Sequence, residues 1–148
     1  MYLQGLTNLK KIDLSDNSIT NLPPAKVFAG LTQLKFLYLH NNNISNWSDI
    51  QSLVALPQIM HLTLFSNPVC SIPGYRHFLV NSMQSLLALD NFVITDEIKT
   101  YINKAREMFN KTGTVPAVRN FAKEFGMDRR ASKLYEVFES GPMKKIAK

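Results

Sequence analysis

The sequence predicts a short α/β solenoid followed by a small all-α segment, and three observations support this prediction. Leucines recur with a period of 25 residues at positions 14, 39, 64 and 89. A second apolar column keeps the same period at positions 12, 37, 62 and 87. From residue 95 onward apolar residues recur instead at intervals of three and four, which is typical of helices. Periods in the twenties are typical of repeat proteins with one strand per unit.

Each repeat has the form L-x-x-(I/L)-x-L-x-x-N-x-(I/V), at residues 9–19, 34–44 and, with isoleucine in the first position, 59–69. Two leucines separated by one residue point to the same side of a short strand, so both enter the core. An asparagine follows where the strand turns, and its amide satisfies backbone groups that the turn leaves unpaired. Asn17, Asn42 and Asn67 are therefore predicted to be structural, and Phe92 marks the end of the stack. This unit resembles the leucine-rich repeat family.

The residues between the core leucines are predicted to face outward from the concave side of the sheet. Phe36, Tyr38, His40 and Phe65 are aromatic, which is unusual for a solvated face and typical of a protein-binding surface. The predicted partner-binding residues are Lys11, Asp13, Phe36, Tyr38, His40, His61, Thr63 and Phe65. An alternative is that the C-terminal segment covers these aromatic side chains. Because His40 and His61 lack a third ligand, no metal site is predicted.

Residues 67–94 resemble the cap that closes many cytoplasmic eukaryotic leucine-rich repeats, after repeats assigned to residues 1–66. The resemblance rests on residues 75–78 (Tyr-Arg-His-Phe) and 87–90 (Leu-Ala-Leu-Asp). It implies a covering helix, in which Tyr75 and Phe78 are structural, and a final strand. The spacing of the apolar residues supports such a helix at Tyr75, Phe78, Leu79, Met83 and Leu86. Similar capped solenoids occur in splicing, phosphatase-regulatory and ciliary or axonemal proteins, so the resemblance implies a binding scaffold.

Charge and cysteine usage separate two regions and indicate the compartment. Residues 1–95 have five basic and four acidic side chains, whereas residues 96–148 have twelve and seven, so most of the net charge of +6 is C-terminal. The single cysteine, Cys70, cannot form an internal disulfide and is typical of a reducing compartment. No apolar run is long enough for a membrane span, and the first residues do not form a secretory signal. We therefore expect a cytoplasmic protein, with a cytoskeletal or ciliary setting as the narrower alternative.

Residues 95–148 are predicted to form a small helical domain with a helix-turn-helix-like arrangement. Thr95 is a predicted N-cap, and the first helix ends near Gly113. Pro116 opens a second helix that Gly126 closes, and Asp128 caps a third. This pattern leaves nucleic-acid binding open, through basic residues early on the third helix. The predicted basic docking surface comprises Arg119, Lys123, Arg129, Arg130, Lys133, Lys144 and Lys145.

Three strings in this segment resemble the DsrC/TusE family of sulfur-relay proteins. They are residues 116–119 (Pro-Ala-Val-Arg), 132–138 (Ser-Lys-Leu-Tyr-Glu-Val-Phe) and 141–145 (Gly-Pro-Met-Lys-Lys). The resemblance implies a helical bundle whose relatives carry persulfide or trisulfide sulfur on cysteines of a C-terminal arm. Aligned on Gly141-Pro142, the family's upstream cysteine falls near Ala147, and the essential one falls beyond Lys148. Because sulfur transfer requires a thiolate, the resemblance implies the fold and a docking surface, with the chemistry either absent or lost with a truncated C-terminal tail.

No catalytic residue, metal or cofactor is predicted. The sequence has no glycine-rich phosphate loop, no metal-spaced Cys/His cluster and no nucleophile turn. We therefore expect a non-catalytic interaction or scaffold protein that binds a protein partner through its concave face, as part of a larger assembly. The two alternatives are a sulfur-relay (persulfide carrier) protein with a truncated C-terminal arm and a protein that binds nucleic acid through the helix-turn-helix-like segment. The sequence does not determine the oligomeric state.

Overall fold

A computed structural model describes residue 3 and residues 5–113 of the chain. Strands and helices alternate along most of this length. In chain order they are β1 (Lys11–Asp13), α1 (Ala25–Ala29), β2 (Phe36–Tyr38), α2 (Trp47–Leu53), β3 (His61–Thr63), a 3-10 turn (Pro68–Ser71), α3 (Tyr75–Ser82), β4 (Ala88–Leu89), β5 (Phe92–Val93) and α4 (Asp96–Thr112). The predicted second and third helices of the C-terminal segment, with the predicted basic docking surface, lie outside the described residues.

All five strands belong to one sheet in the order β1-β2-β3-β4-β5. The first four strands are parallel, and β5 is antiparallel to β4. Neighbouring strands lie about 4.8 Å apart, whereas packed helices need about 8–10 Å. Stacked strand–helix units therefore bend toward the strand side, so the sheet forms the concave face. The α/β solenoid that the leucine period predicts is confirmed.

The register of the repeats holds for three rungs and changes at the fourth. Leu37 pairs with Ile12 on one side and with Leu62 on the other, as the 25-residue period predicts. At β4, however, Leu62 pairs with Leu89, two residues after the predicted Leu87. Leu87 is 45% exposed. The prediction that both core columns continue unchanged is therefore wrong at this rung, because the unit that contains α3 is two residues longer.

A tight hairpin ends the sheet. Asp90 and Asn91, between β4 and β5, have φ angles of 49° and 68°. A two-residue hairpin turn of type I′ requires such left-handed angles at both central residues, and Asp and Asn tolerate them well. The changed register also shifts the position that is equivalent to the asparagines of the earlier repeats, from Phe92 to Ile94. Ile94 is buried, and Phe92 lies in β5.

The core lies between the sheet and the helices and consists mainly of leucine and isoleucine side chains. Leu34, Ile50 and Leu53 are fully buried. Burying one such side chain contributes about 1.5–3 kcal/mol relative to leaving it in water. α3 ends at Ser82, so Met83 and Leu86 lie after the covering helix on which they were predicted, although both are buried.

The fourth helix begins and ends as its capping residues predict. Thr95 Oγ1 accepts a hydrogen bond from the Ile98 backbone N–H at 3.2 Å, and Gly113 follows the helix with a left-handed φ of 69°. Ile98 is 4% exposed, and Lys99 Nζ donates to the Gln84 carbonyl at 2.6 Å. The first turn of α4 therefore packs against the cap. None of the helices in residues 5–113 has the length and apolar content to cross a membrane.

Candidate functional site

The concave face presents two rows of side chains that the sheet register places side by side. The first row consists of Lys11, Phe36, His61, Ala88 and Val93, and the second of Asp13, Tyr38 and Thr63. In β1 and β2 the middle residue is buried and its two neighbours are at least partly exposed, because successive side chains alternate sides. The sequence analysis missed Ala88 and Val93, since the longer fourth unit brings them into the row. Val93 is 69% exposed.

Five rings on this face form an aromatic strip, which we define as Phe36, Tyr38, His40, His61 and Phe65. Phe36 stacks on His61 with ring centroids 4.9 Å apart, and His40 stacks on Phe65 at 4.5 Å. Tyr38 lies tilted beside His40 at 6.4 Å. All five side chains are half-buried. Four of the rings are thus stacked in pairs, and all five keep part of their surface open to solvent.

Polar contacts fix the middle of the face. His40 Nδ1 and Thr63 Oγ1 are 2.8 Å apart, and Thr63 is 7% exposed. Lys11 Nζ lies 5.1 Å from the centre of the Tyr38 ring, within cation–π range. Asp13 accepts hydrogen bonds from the Ser15 backbone N–H and hydroxyl, which lower the pKa of Asp13. Seven of the eight predicted partner-binding residues thus lie at least partly exposed on one surface, whereas Thr63 is buried and holds His40 instead of facing solvent.

The asparagines at the ends of the strands bond the rungs to one another. Asn67 Nδ2 donates to the carbonyls of Leu39 and Leu64 at 2.9 and 2.8 Å, and its Oδ1 accepts from the Ile44 N–H at 3.0 Å. Asn42 makes the equivalent bonds one rung earlier. Both side chains are 6% exposed. Asn17, by contrast, is exposed and bonds to carbonyls of its own rung.

A buried carboxylate connects the cap to the third repeat. Asp90 is 4% exposed, and its Oδ1 accepts from the backbone N–H groups of Leu64 and Phe65 at 2.5 and 2.9 Å. Its Oδ2 accepts from the Tyr75 hydroxyl and pairs with Arg76 Nε at 3.4 Å. Burial and the negative charge of Asp90 raise the pKa of Tyr75 above its usual value. The sequence analysis placed Asp90 at the end of the final strand but did not identify this role.

The helix α3 covers the open side of the last repeat. Tyr75 is 3% exposed and Leu79 is fully buried. Phe78 is half-buried and contacts Trp47 of α2, with ring centroids 5.1 Å apart. The two residues of this helix that were predicted to be structural, Tyr75 and Phe78, thus lie against the solenoid.

Cys70 lies beside this cap as a free thiol. Its Sγ donates to the Leu64 carbonyl at 2.8 Å, and the side chain is half-buried. Burial raises the pKa of the Cys70 thiol, so less of it is thiolate at neutral pH. Across residues 5–113 there is no group of three or more His, Cys, Asp or Glu side chains able to hold a metal ion.

The sequence matches two family models. One describes leucine-rich repeats in two copies and matches residues 7–53. The other describes DsrC-like proteins and matches residues 75–148, which is half of the chain. The second match begins at Tyr75, in the helix that covers the last repeat. No curated protein matches the sequence.

Similar solved structures are leucine-rich repeat proteins. The Drosophila melanogaster SNF/U2A' complex has a chain with a TM-score of 0.63 and 24% identity, over 73% of this chain and 60% of that one. The Chaetomium Mex67:Mtr2 subunits give 0.53 and 26%, over 65% and 61%. The Mex67 LRR domain from Chaetomium thermophilum gives 0.51 and 28%, over 60% of both chains. This chain thus spans about three fifths of the length of each, as those coverages of 60%, 61% and 60% show.

The chain combines leucine-rich repeats with a sequence that matches a second family. The parallel sheet and the solved structures show a leucine-rich repeat fold, whereas the family match extends from the cap helix to Lys148. The chain therefore belongs to the DsrC-like protein family through residues 75–148, and it has leucine-rich repeats at residues 7–53.

Proposed function

We propose that this chain is a non-catalytic interaction protein that binds another protein through its concave face. The observation that supports this most directly is the aromatic strip, whose rings lie half-buried on two short parallel strands and just after their ends. Aromatic side chains contribute much of the binding energy at protein interfaces. Rings that are already fixed lose little conformational freedom when a partner binds. Two of the similar solved structures, the SNF/U2A' complex and the Mex67:Mtr2 subunits, are assemblies of more than one protein.

A double variant tests this proposal. The double variant Phe36→Ala, Tyr38→Ala removes two rings from the aromatic strip. Neither of the two side chains is fully buried. In a pull-down compared by quantitative mass spectrometry, we expect the variant to lose proteins that the parent retains. Loss of two interface aromatics weakens binding by about thirtyfold or more. Thermal unfolding followed by circular dichroism checks that the fold survives.

The matched control is Leu6→Ala. Leu6 is also apolar and is 42% exposed, but it lies five residues before β1 and belongs neither to the aromatic strip nor to the two rows of the concave face. This variant should retain the same proteins as the parent. If the double variant also retains them while folded, the concave face is not the binding surface.

The wider proposal includes a second contact and a location. The basic docking surface predicted at Arg119, Lys123, Arg129, Arg130, Lys133, Lys144 and Lys145 would bind a second, acidic partner surface within a larger assembly. Binding there should weaken steeply as salt is raised, because opposite charges attract less when screened. The proposal places the protein in the cytoplasm, where a single cysteine stays reduced.

Sulfur carriage is the second candidate function, and the DsrC-like match favours it. Such chemistry needs a reactive thiolate. Cys70 is the single cysteine of the sequence, and its pKa is raised by burial, so the residues present favour the interaction role. Incubation with polysulfide followed by intact-mass measurement separates the two candidates. A gain of one sulfur atom faster than that of free glutathione, and absent from Cys70→Ser, would establish sulfur carriage.

A further inference from the structure

The concave face is bordered by opposite charges. Lys10, Lys11 and Lys35 lie at the starts of β1 and β2, and we call them the basic edge. Asp13 and Asp16 lie at and after the end of β1, and we call them the acidic edge. Lys10, Lys11 and both aspartates are exposed. Because residues advance about 3.3 Å along a strand, only about 7 Å separates the two edges.

Neither edge is neutralised by an ion pair within the described part of the chain. Asp13 accepts its hydrogen bonds from Ser15, and Asp16 accepts one from Asn41 Nδ2 at 2.7 Å. These donors are uncharged, so the negative charge remains. The basic edge likewise forms no ion pair among residues 5–113. A charged side chain of a partner would therefore meet an unpaired opposite charge at either edge.

One helix lying across the strands fits the length of the first row and is wide enough to contact both edges. The first row crosses five strands, from Lys11 in β1 to Val93 in β5. Five strands at about 4.8 Å spacing extend over about 19 Å, which equals about 13 residues of helix. A helix with its side chains is about 10–12 Å wide, so it covers the row and reaches both edges.

We propose that the concave face binds an amphipathic helix of a protein partner whose flanks have opposite charges. This inference rests on the proposed function and names the kind of partner. An apolar stripe of the helix packs on the aromatic strip and Val93, acidic side chains on one flank contact the basic edge, and basic side chains on the other contact the acidic edge. Because the two edges differ, the helix lies in one direction across the strands.

The charges also argue against other occupants. Nucleic-acid bases could stack on the strip and phosphates could contact the basic edge, but Asp13 and Asp16 would repel a polyanion. An extended peptide directs alternate side chains away from the sheet, so only a single row of its side chains faces the concave surface. A helix presents an apolar stripe between two polar flanks at once, which matches the pattern of this face.

A displayed library of helix-forming peptides tests the inference. The peptides are about 14 residues long, with a fixed apolar stripe and flanks drawn from Glu, Lys and Gln. The parent should select peptides that are acidic on one flank and basic on the other. A Lys11→Glu, Lys35→Glu variant, acidic at both edges, should select peptides with two basic flanks. It should bind the parental peptide roughly tenfold more weakly. Lys26→Glu on α1 is the matched control and should select as the parent does.

The outcomes separate the inference from the proposed function. If the parent selects peptides with neutral flanks and Phe36→Ala still abolishes their binding, the proposed charges on the flanks of the helix are wrong. The concave face would then still be the binding surface. If the selected peptides bind Phe36→Ala as they bind the parent, the proposed function fails. Displacement of the peptide by a single-stranded oligouridylate, in a manner that depends on Phe36, would show a nucleic-acid site and overturn the inference.

Discussion

Replacing Asp90 with alanine removes the carboxylate that joins the cap to the third repeat. Its Oδ1 accepts from the N–H groups of Leu64 and Phe65, and its Oδ2 accepts from the Tyr75 hydroxyl and pairs with Arg76. Alanine leaves all four donors without this acceptor. Asp90 is 4% exposed, so water does not readily take its place.

The size of the effect follows from these contacts. Removing one partner of a buried ion pair costs about 3–5 kcal/mol. Each buried donor left unpaired costs about 1–3 kcal/mol, but neighbouring losses do not add. We therefore expect Asp90→Ala to lower the free energy of unfolding by about 4 kcal/mol. Asp90→Asn keeps an acceptor for the backbone and loses the charge, so it should fall between alanine and the parent.

Urea unfolding followed by circular dichroism measures this change. With a urea dependence of about 1–3 kcal/mol per molar, the midpoint should fall by more than about 1.3 M. The control is Asp16→Asn, which is exposed and keeps a residue type that tolerates its left-handed φ of 57°. It should change stability by less than about 0.5 kcal/mol. If Asp90→Ala unfolds within about 1 kcal/mol of the parent, the carboxylate does not hold the cap in place.

Three other measurements follow from the same structure. Burial raises the pKa of Tyr75 from its usual 10.0. Above pH 10.0 the phenol therefore ionises in the unfolded chain but not in the folded one, and the free energy of unfolding should fall by about 1.4 kcal/mol per pH unit. Urea unfolding at several alkaline pH values should show a shallower fall for Tyr75→Phe, and equal slopes would contradict the assignment. Asn67→Ala should destabilise by about 2–4 kcal/mol and the exposed Asn17→Ala by about 1 kcal/mol or less, so equal losses would refute the difference in burial. Because burial raises its pKa, Cys70 should react with a disulfide reagent at least about tenfold more slowly in the folded protein than in urea.

The repeats could be predicted because their signal is local and repeated. Each rung alternates core and surface residues over a few positions, and the period of 25 residues places equivalent side chains above one another. The same reasoning gave the concave residues of the first three rungs, such as Phe36 and His61, which do pair across β2 and β3. It failed at β4 because Leu87 and Leu89 both fit the apolar pattern, and the pattern does not distinguish which of them enters the core.

Short polar residues also recur with the period of 25 residues, at the turn that follows each of the first three strands. Asp16, Asn41 and Ser66 are 25 residues apart and have left-handed φ angles of 57°, 56° and 57°. Short polar residues are enriched in this conformation, so the column could have located the turn after each strand. The hairpin at Asp90 and Asn91 could have been found similarly, since two such residues follow a short apolar run.

The role of Asp90 lay beyond the sequence for a different reason. Its partners come from two separate segments: the N–H groups from the third repeat and the hydroxyl and guanidinium from α3. Only the packing of α3 against the sheet brings them together. The cap resemblance included Tyr75, Arg76 and Asp90, but it did not indicate that one carboxylate serves all these donors.

This network also joins the leucine-rich repeats to the beginning of the DsrC-like match. Tyr75 and Arg76, which bond to Asp90, are the first residues of the DsrC-like match, so that match begins inside the closing layer of the solenoid. Asp90 in turn bonds to the backbone of Phe65, a member of the aromatic strip. A free linker would let the concave face and the first turn of α4 move independently. Here buried hydrogen bonds join Phe65 of the strip to α3 of the cap, and the first turn of α4 packs against the same cap, where Lys99 donates to the Gln84 carbonyl, so the concave face and the start of α4 are connected through the cap.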